Sequence, residues 1–317
     1  VPRSYTATEL LASGRQKAFL ANAARDYDDI SWLRLLNEQI GGYLPKLLVK
    51  RRTNFFMRNA DLSVSAGTTT FSVPSEAIAG MARSVVMVVG GIPYGLEEMD
   101  LPVAVQSDLT PFSSQFPTGY YWENDHIRLW PTQSITGILR LHWYKRPSQV
   151  VKENACVQIS SFPGGAPAGS YRLAFTGALP NGYAAGVPVD IVSNIPNFYR
   201  WQTGAAITAQ AGQNIDIPLP ANGVQPPQLA VGDWVCLADT APVVTECPSE
   251  VIEPLLWSCV EELFTGKGPN ASYQRAEKAR LKAEENVGGL IIRRNLGAMT
   301  KISAFPESHI FPWGWFA

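Results

Sequence analysis

The chain has 317 residues, a formal net charge of −1, 46% hydrophobic and 17% charged residues. That length predicts about two domains and a sizeable core, and the near-neutral charge argues against a general nucleic-acid binder while leaving room for a local basic patch. No apolar run approaches the ~20 residues a bilayer span needs, and no apolar signal-peptide core stands at the N-terminus, so a soluble protein made in a reducing cytoplasm is the expectation.

Thr6-Ala7-Thr8-Glu9 reads as a capping box that starts a first helix running to about Arg25, because the Thr hydroxyl and the Glu carboxylate satisfy each other's backbone N–H groups. Acidic residues at 26–29 break it and lead into a second helix, with Leu33, Leu36, Ile40, Leu44 and Leu47 at helical spacing. Gly41-Gly42 and Pro45 weaken that helix and predict a kink. From Arg58 the period changes. Leu62–Val64 and Thr69–Val73 read as a hairpin about Ala66-Gly67, and Arg83–Val89 as a strand returning through Gly90-Gly91 and Ile92-Pro93-Tyr94. Residues 97–108 read as a short helix or loop.

Gly119–Pro147 is the most informative block. Tyr120, Tyr121 and Trp122 are strong strand formers; Ile127 and Leu129 alternate with His126, Arg128 and Trp130, and Leu139, Leu141 and Trp143 with Arg140, His142 and Tyr144, with turn residues between. This predicts a three-stranded meander with one buried face. Between 155 and 245 glycine and proline are frequent and Lys and Glu scarce, which reads as an inserted loop-rich β module. Its candidate strands are Tyr171–Phe175, Val187–Val192, Phe198–Trp201, Asn214–Ile217 and Asp233–Leu237.

Helix returns after Pro248. Ile252, Leu255, Leu256, Cys259, Val260 and Leu263 form the cleanest amphipathic stripe in the chain. A fourth helix follows Asn270 and is expected to stop at Gly288-Gly289. Residues 290–317 then carry Arg293-Arg294 and a cluster of aromatics, Phe305, Phe311, Trp313, Trp315 and Phe316. A free segment this aromatic is sticky, so it is expected to dock.

Motifs for catalysis are scarce. His126, His142 and His309 have no Cys or acid at ligand spacing, although the first two are candidate cross-strand neighbours. No G-x-S-x-G or H-E-x-x-H occurs, and Thr265-Gly266-Lys267-Gly268 lacks the remainder of a P-loop. Glu97, Glu98 and Asp100, or Glu123 and Asp125, are carboxylate pairs of the kind glycosidic chemistry uses, but acids in turns serve more often as solvated or capping groups. Lys46, Lys50, Arg51, Arg52 and Arg58 form the notable basic cluster. It reads either as a phosphate contact or as a solvated helix end favoured by the dipole. Of Cys156, Cys236, Cys247 and Cys259, the pair Cys236 and Cys247 is near enough in sequence to bridge; free buried thiols are the other reading.

Three pieces in order resemble tailed-phage head-to-tail adaptors, the head-completion or collar proteins. They are Trp32-Leu33-Arg34-Leu35-Leu36-Asn37; Ile127-Arg128-Leu129-Trp130-Pro131 with Gly137-Ile138-Leu139-Arg140-Leu141 and Tyr144-Lys145-Arg146-Pro147; and Val231-Gly232-Asp233-Trp234-Val235 with the helix from Ile252 to Leu263. The resemblance implies a non-enzymatic virion protein of the neck, without cofactor or metal, made in the host bacterial cytoplasm. It implies a ring, commonly of twelve subunits, beneath the portal, extending the DNA channel and carrying the tail. The implied partners are other copies of the chain, the portal, a tail or nozzle protein, fibre proteins, and passing DNA without sequence specificity.

The implied docking residues are Arg293, Arg294, Phe305, Phe311, Trp313, Trp315 and Phe316, with Lys46, Lys50, Arg51 and Arg52 as candidate DNA or phosphate contacts. Another tail or fibre-attachment protein with a partner- or glycan-binding β module is the alternative, and a carbohydrate-active enzyme a further one. The expected fold is α+β: N- and C-terminal helices forming a bundle, with an inserted antiparallel region of a meander plus a second β module. The expected segments are 1–58 and 246–289 for the helices, 59–154 and 155–245 for the two β parts, and 290–317 for an extended arm.

Overall fold

The computed structural model describes residues 5–18, 28–51, 56–74, 76–100, 113, 114, 116–124, 126–194, 200–220, 223–245, 247, 249–265 and 271–302, with backbone alone at 50, 51, 79, 81, 113, 114, 132 and 289–302. The chain is mixed α+β, with helices at both ends of its sequence and large sheets between them.

Helix α1 spans Ala7–Lys17. Its cap is a complete box: the Glu9 N–H donates to the Thr6 hydroxyl, and the Thr6 N–H donates to the Glu9 carboxylate at 3.2 Å. The helix ends at Lys17, earlier than Arg25. Helix α2 spans Asp29–Arg51, entered through Asp28, whose carboxylate accepts the Ser31 N–H at 2.8 Å. Pro45 lies inside it. The carbonyl that Pro45 leaves without a donor belongs to Gly41, which is exposed to water, so the helix continues.

Helix α3 covers Ile252–Thr265 and α4 Ala271–Ile302. One hydrophobic cluster draws on all four: Leu10 and Leu11, Trp32, Leu36, Ile40, Leu44, then Leu255, Leu256, Cys259 and Leu263, then Ala276 and Val287. Gly288-Gly289 does not stop α4. Two interior glycines cost about 1 kcal/mol each against alanine, and the helix-forming residues after them, with no proline before Pro306, carry the helix on to Ile302. The segment from 290, expected as an extended arm, therefore begins as helix.

The first sheet is built from β1 (Met57–Val64), β2 (Thr70–Ser72), β3 (Ala77–Val89), β4 (Ile92–Glu98), β6 (Gly119–Glu123), β7 (His126–Trp130) and β9 (Gly137–Lys145), with β5 (Ser113–Ser114) and β8 (Thr132–Gln133) as a small parallel pair beside it. Its order is β1-β9-β3-β4-β6-β7-β2, antiparallel except for β4 against β6. Residues 92–98, expected as the end of a return and the start of a helix or loop, are strand throughout.

Two expected pairings are corrected by this order. β1 and β2 flank the Ala66-Gly67 turn but pair with β9 and β7, not with each other. β6 and β7 form the expected hairpin, whereas the third strand of the block, β9, leaves it and lies between β1 and β3. The meander is thus a hairpin plus a remote strand. Alternation sets which face a strand buries; it says nothing of which strand lies beside it.

The connection explains the shape. β1 and β2 are the outer strands, yet 65–69 alone join them. That link reaches at most ~21 Å, while a flat sheet of seven strands is ~29 Å across. The sheet therefore curls until its edges approach, enclosing Val85, Met87, Ile127, Leu129, Leu139 and Leu141 as a near-barrel.

The second sheet runs β14 (Arg200–Ala206), β13 (Pro188–Val192), β17 (Trp234–Leu237), β11 (Val157–Ser161), β12 (Ser170–Phe175), β16 (Asn214–Pro218) and β15 (Ala209–Ala211). Its outer strands β14 and β15 are joined by two residues, so it too must bend round its core of Ile159, Leu173, Ile191, Ile207, Ile215 and Val235. The glycine-rich run from Gly164 to Gly169 is the connection between β11 and β12. The chain enters and leaves this sheet through a parallel neck, β10 (Gln149–Val150) against β18 (Thr240–Ala241).

Candidate assembly surfaces

The helices are fixed to the neck by a small set of polar side chains. The Asn37 amide acts as a strand edge: it accepts the Val150 N–H at 2.7 Å and donates to the Val150 carbonyl at 3.0 Å. Asp29, in the first turn of α2, receives Lys152 at 2.5 Å and Arg15 at 2.6 Å. Hydrogen bonds from Lys152 and Arg15 hold the Asp29 carboxyl below its ordinary value of 3.8. Glu153 accepts the Thr8 hydroxyl at 2.8 Å and the Thr8 N–H at 3.0 Å. Each contact joins residues more than a hundred positions apart or on different helices, so α1, α2 and the chain at 150–153 are held in one arrangement.

Two recesses open on the helical side. One, about 590 Å³, lies among the end of α1, the start of α3 and α4, lined by Tyr5, Gln16, Lys17, Glu253, Trp257 and Arg275 among others. The Lys17 ammonium sits 4.7 Å over the Trp257 ring and 3.5 Å from Glu253. The other, about 330 Å³, has Trp32, Leu35 and Leu263 with Ser31, Arg34, Glu38 and Glu262 around them. Both mix an apolar lining with charges of both signs, which suits a segment of polypeptide better than a small anion or cation.

The far end of the first sheet is apolar where strands normally meet water. Ile92, Tyr94, Phe116 and Ile138 are all exposed, Ile92 by 57%. Tyr94 and Phe116 rings lie 5.4 Å apart. Pro93 and Ile138 flank Val88 from its two neighbouring strands. This tip is a second candidate contact surface.

The sequence-predicted residues fall unevenly. Lys46 is exposed on α2; the side chains of Lys50 and Arg51 and the whole of Arg52 lie outside the described residues. Arg293 and Arg294 ride on the last turns of α4, with side chains outside that description. Phe305, Phe311, Trp313, Trp315 and Phe316 lie wholly outside it, as does His309. His126 and His142 are on β7 and β9, which are not neighbours, and the His142 Nδ1 is 3.0 Å from the Ser84 hydroxyl. Among the described residues no cluster of His, Cys, Asp and Glu suits a metal.

Glu97 and Glu98 are consecutive on β4 and so point to opposite faces, which does not make a carboxylate pair. Glu123 is engaged by Arg128 at 3.1 Å, and Asp125 is outside the described residues. The sequence reading missed Trp257 and Asn37. Trp257 carried a signal, because a large aromatic off the apolar stripe of α3 stands at the margin of the core; Asn37 carried none.

The family model described as SU10 adaptor protein matches residues 5–179, more than half of the 317 residues. The match takes in α1, α2, the first sheet, the entry strand of the neck, β11 and β12. No curated protein matches the chain.

Proposed function

We propose that this chain, which belongs to the SU10 adaptor family of phage adaptors, is a head-to-tail adaptor that assembles as a ring beneath the portal, extends the DNA channel and carries the tail. The observation that carries the reading is the family match over 5–179, which spans α1, α2, the first sheet and the entry strand of the neck, with α1 and α2 tied to the chain at 150–153 by Asn37, Asp29 and Glu153. The four helices act as the bundle that forms the ring body. The protein works by shape and contact, not turnover.

The C-terminal segment is the docking element. α4 has 32 residues and α3 has 14, lengths of about 48 and 21 Å, so α4 outruns its antiparallel partner by several turns. Its backbone carries positions 293 and 294, and the aromatics Phe305, Phe311, Trp313, Trp315 and Phe316 follow it in the sequence. A docking helix with an aromatic end fits a groove of a neighbouring protein.

Purified chain mixed with the portal protein of the same phage should give a ring complex in native mass spectrometry and cryo-EM. Truncation after Ile302 should weaken it and truncation after Gly289 weaken it further. Undiminished binding by both truncations removes the C-terminal segment from the interface, and absence of any complex with intact chain overturns the portal reading. The β module also admits a contact with tail or fibre proteins, favoured by the family match ending inside it, at 179.

A further inference from the structure

Four cysteines are present, all reduced and buried, and two of them meet where the second sheet is entered and left. β11 and β17 are antiparallel, with Val157 opposite Val235 and Gln158 opposite Trp234. Carrying that register on by one residue puts Cys156 opposite Cys236. Cys156 has extended backbone, φ −117 and ψ 167, so the strand geometry persists to it.

The hydrogen-bond phase identifies the kind of pair. The Ile159 N–H donates to the Asp233 carbonyl at 2.9 Å, and in an antiparallel ladder bonded and non-bonded pairs alternate. Ile159/Asp233 and Val157/Val235 are then bonded positions, and Gln158/Trp234 and Cys156/Cys236 non-bonded ones. Non-bonded partners have Cα atoms about 4.5 Å apart and the closer side chains, inside the roughly 4.4–6.8 Å that a disulfide spans.

Tyr183 pins both strands beside the pair: its hydroxyl lies 3.1 Å from the Ala155 carbonyl and 3.0 Å from the Val235 carbonyl, sharing its proton between them. Val192, Ala241 and Val243 close the surroundings into an apolar cluster. Burial and the adjoining Cys156 thiol push the Cys236 thiol well up, and Cys156, 5% exposed against 0% for Cys236, is the sulfur an oxidant reaches first.

We propose that Cys156 and Cys236 form a latent cross-strand disulfide that staples the entrance of the β module to its exit when the protein meets an oxidant such as hydrogen peroxide. The Cys156 thiolate attacks one peroxide oxygen; the O–O bond breaks, leaving a sulfenic acid on Cys156 and hydroxide, which takes the thiol proton to become water. The Cys236 sulfur then attacks the Cys156 sulfur. The S–S bond forms, the S–O bond breaks, and the Cys236 proton leaves with the hydroxyl as a second water. Two thiols lose two electrons and peroxide gains them. The bridge closes a loop that contains β11 to β17, so it restrains the unfolded module and resists its detachment at the neck. A Cys236–Cys247 bridge would break this pairing, since Cys236 already faces Cys156.

Treatment of the purified full chain with hydrogen peroxide, followed by unfolding and alkylation, should leave two of the four thiols reactive. Non-reducing digestion should yield one species joining the peptides of Cys156 and Cys236, lighter by two hydrogens, and the urea midpoint should rise and fall back on reduction. Cys236→Ala should accumulate a sulfenic acid on Cys156 that dimedone traps. Four reactive thiols after treatment, or a bridge from Cys236 to Cys247, would overturn the proposal. The peptide map of the unaltered chain decides this even if the variant does not fold, and it is independent of any binding to portal.

Discussion

Single charged residues inside apolar strands carry much of the specificity of the second sheet. Arg200 is fully buried in its side chain, and its Nη1 donates to Asp190 at 2.8 Å while its Nη2 reaches the Arg146 carbonyl at 3.3 Å. Asp190 also accepts the Gly204 N–H at 2.8 Å and the Asp239 N–H at 3.0 Å. Removing the cation would strand a buried carboxylate, a loss of about 3–5 kcal/mol. Arg200→Ala is therefore expected to lower the urea-unfolding free energy by that order, measured by tryptophan fluorescence. The sequence held a trace of this: Asp190 is the lone charge in the strand Pro188–Val192, four of whose five residues are buried. Its partner was not legible, because Arg200 reaches it from a neighbouring strand.

At the scale of elements, the capping box of α1, the stripe of α3 and most strand positions in both sheets could be read from the chain, since each depends on neighbours within a turn or a pleat. The end of α4 could not, because two glycines weaken a helix without forbidding it. The close packing of α1 on α2 was equally hidden. A Cβ at Gly14 would stand 3.0 Å from the Trp32 ring, so the two helices approach there only because position 14 has no side chain. Gly14→Ala should cost about 1–3 kcal/mol by overpacking, despite alanine's better helix propensity; a stabilised variant in thermal unfolding would show that the contact relaxes freely.

For the whole molecule, four hydrophobic clusters stand among the described residues, and Val150 of the neck packs into the helical one beside its bonds to Asn37. Asn37→Ala would leave the N–H and C=O of buried Val150 without their side-chain partner, a cost of about 1–3 kcal/mol. Because the lost bonds join helix to neck, helical circular dichroism and tryptophan fluorescence are expected to separate into two unfolding transitions in this variant, where the unaltered chain gives one. Coincident transitions would mean that packing alone couples the layers.

The sequence by itself determined the α+β class, helices at both ends of the fold, the alternation of the strands in Gly119–Pro147 and the adaptor resemblance, because periodicity, caps and motif order are local properties of the chain. Only the tertiary structure decided that β9 abandons its hairpin for β1 and β3, that both sheets curl, that His126 and His142 stay apart, and that Cys156 rather than Cys247 faces Cys236. These are matters of which distant segments become neighbours. Short links between outer strands and single bonds such as those of Asn37 settle them, and neither leaves a periodic mark in the chain.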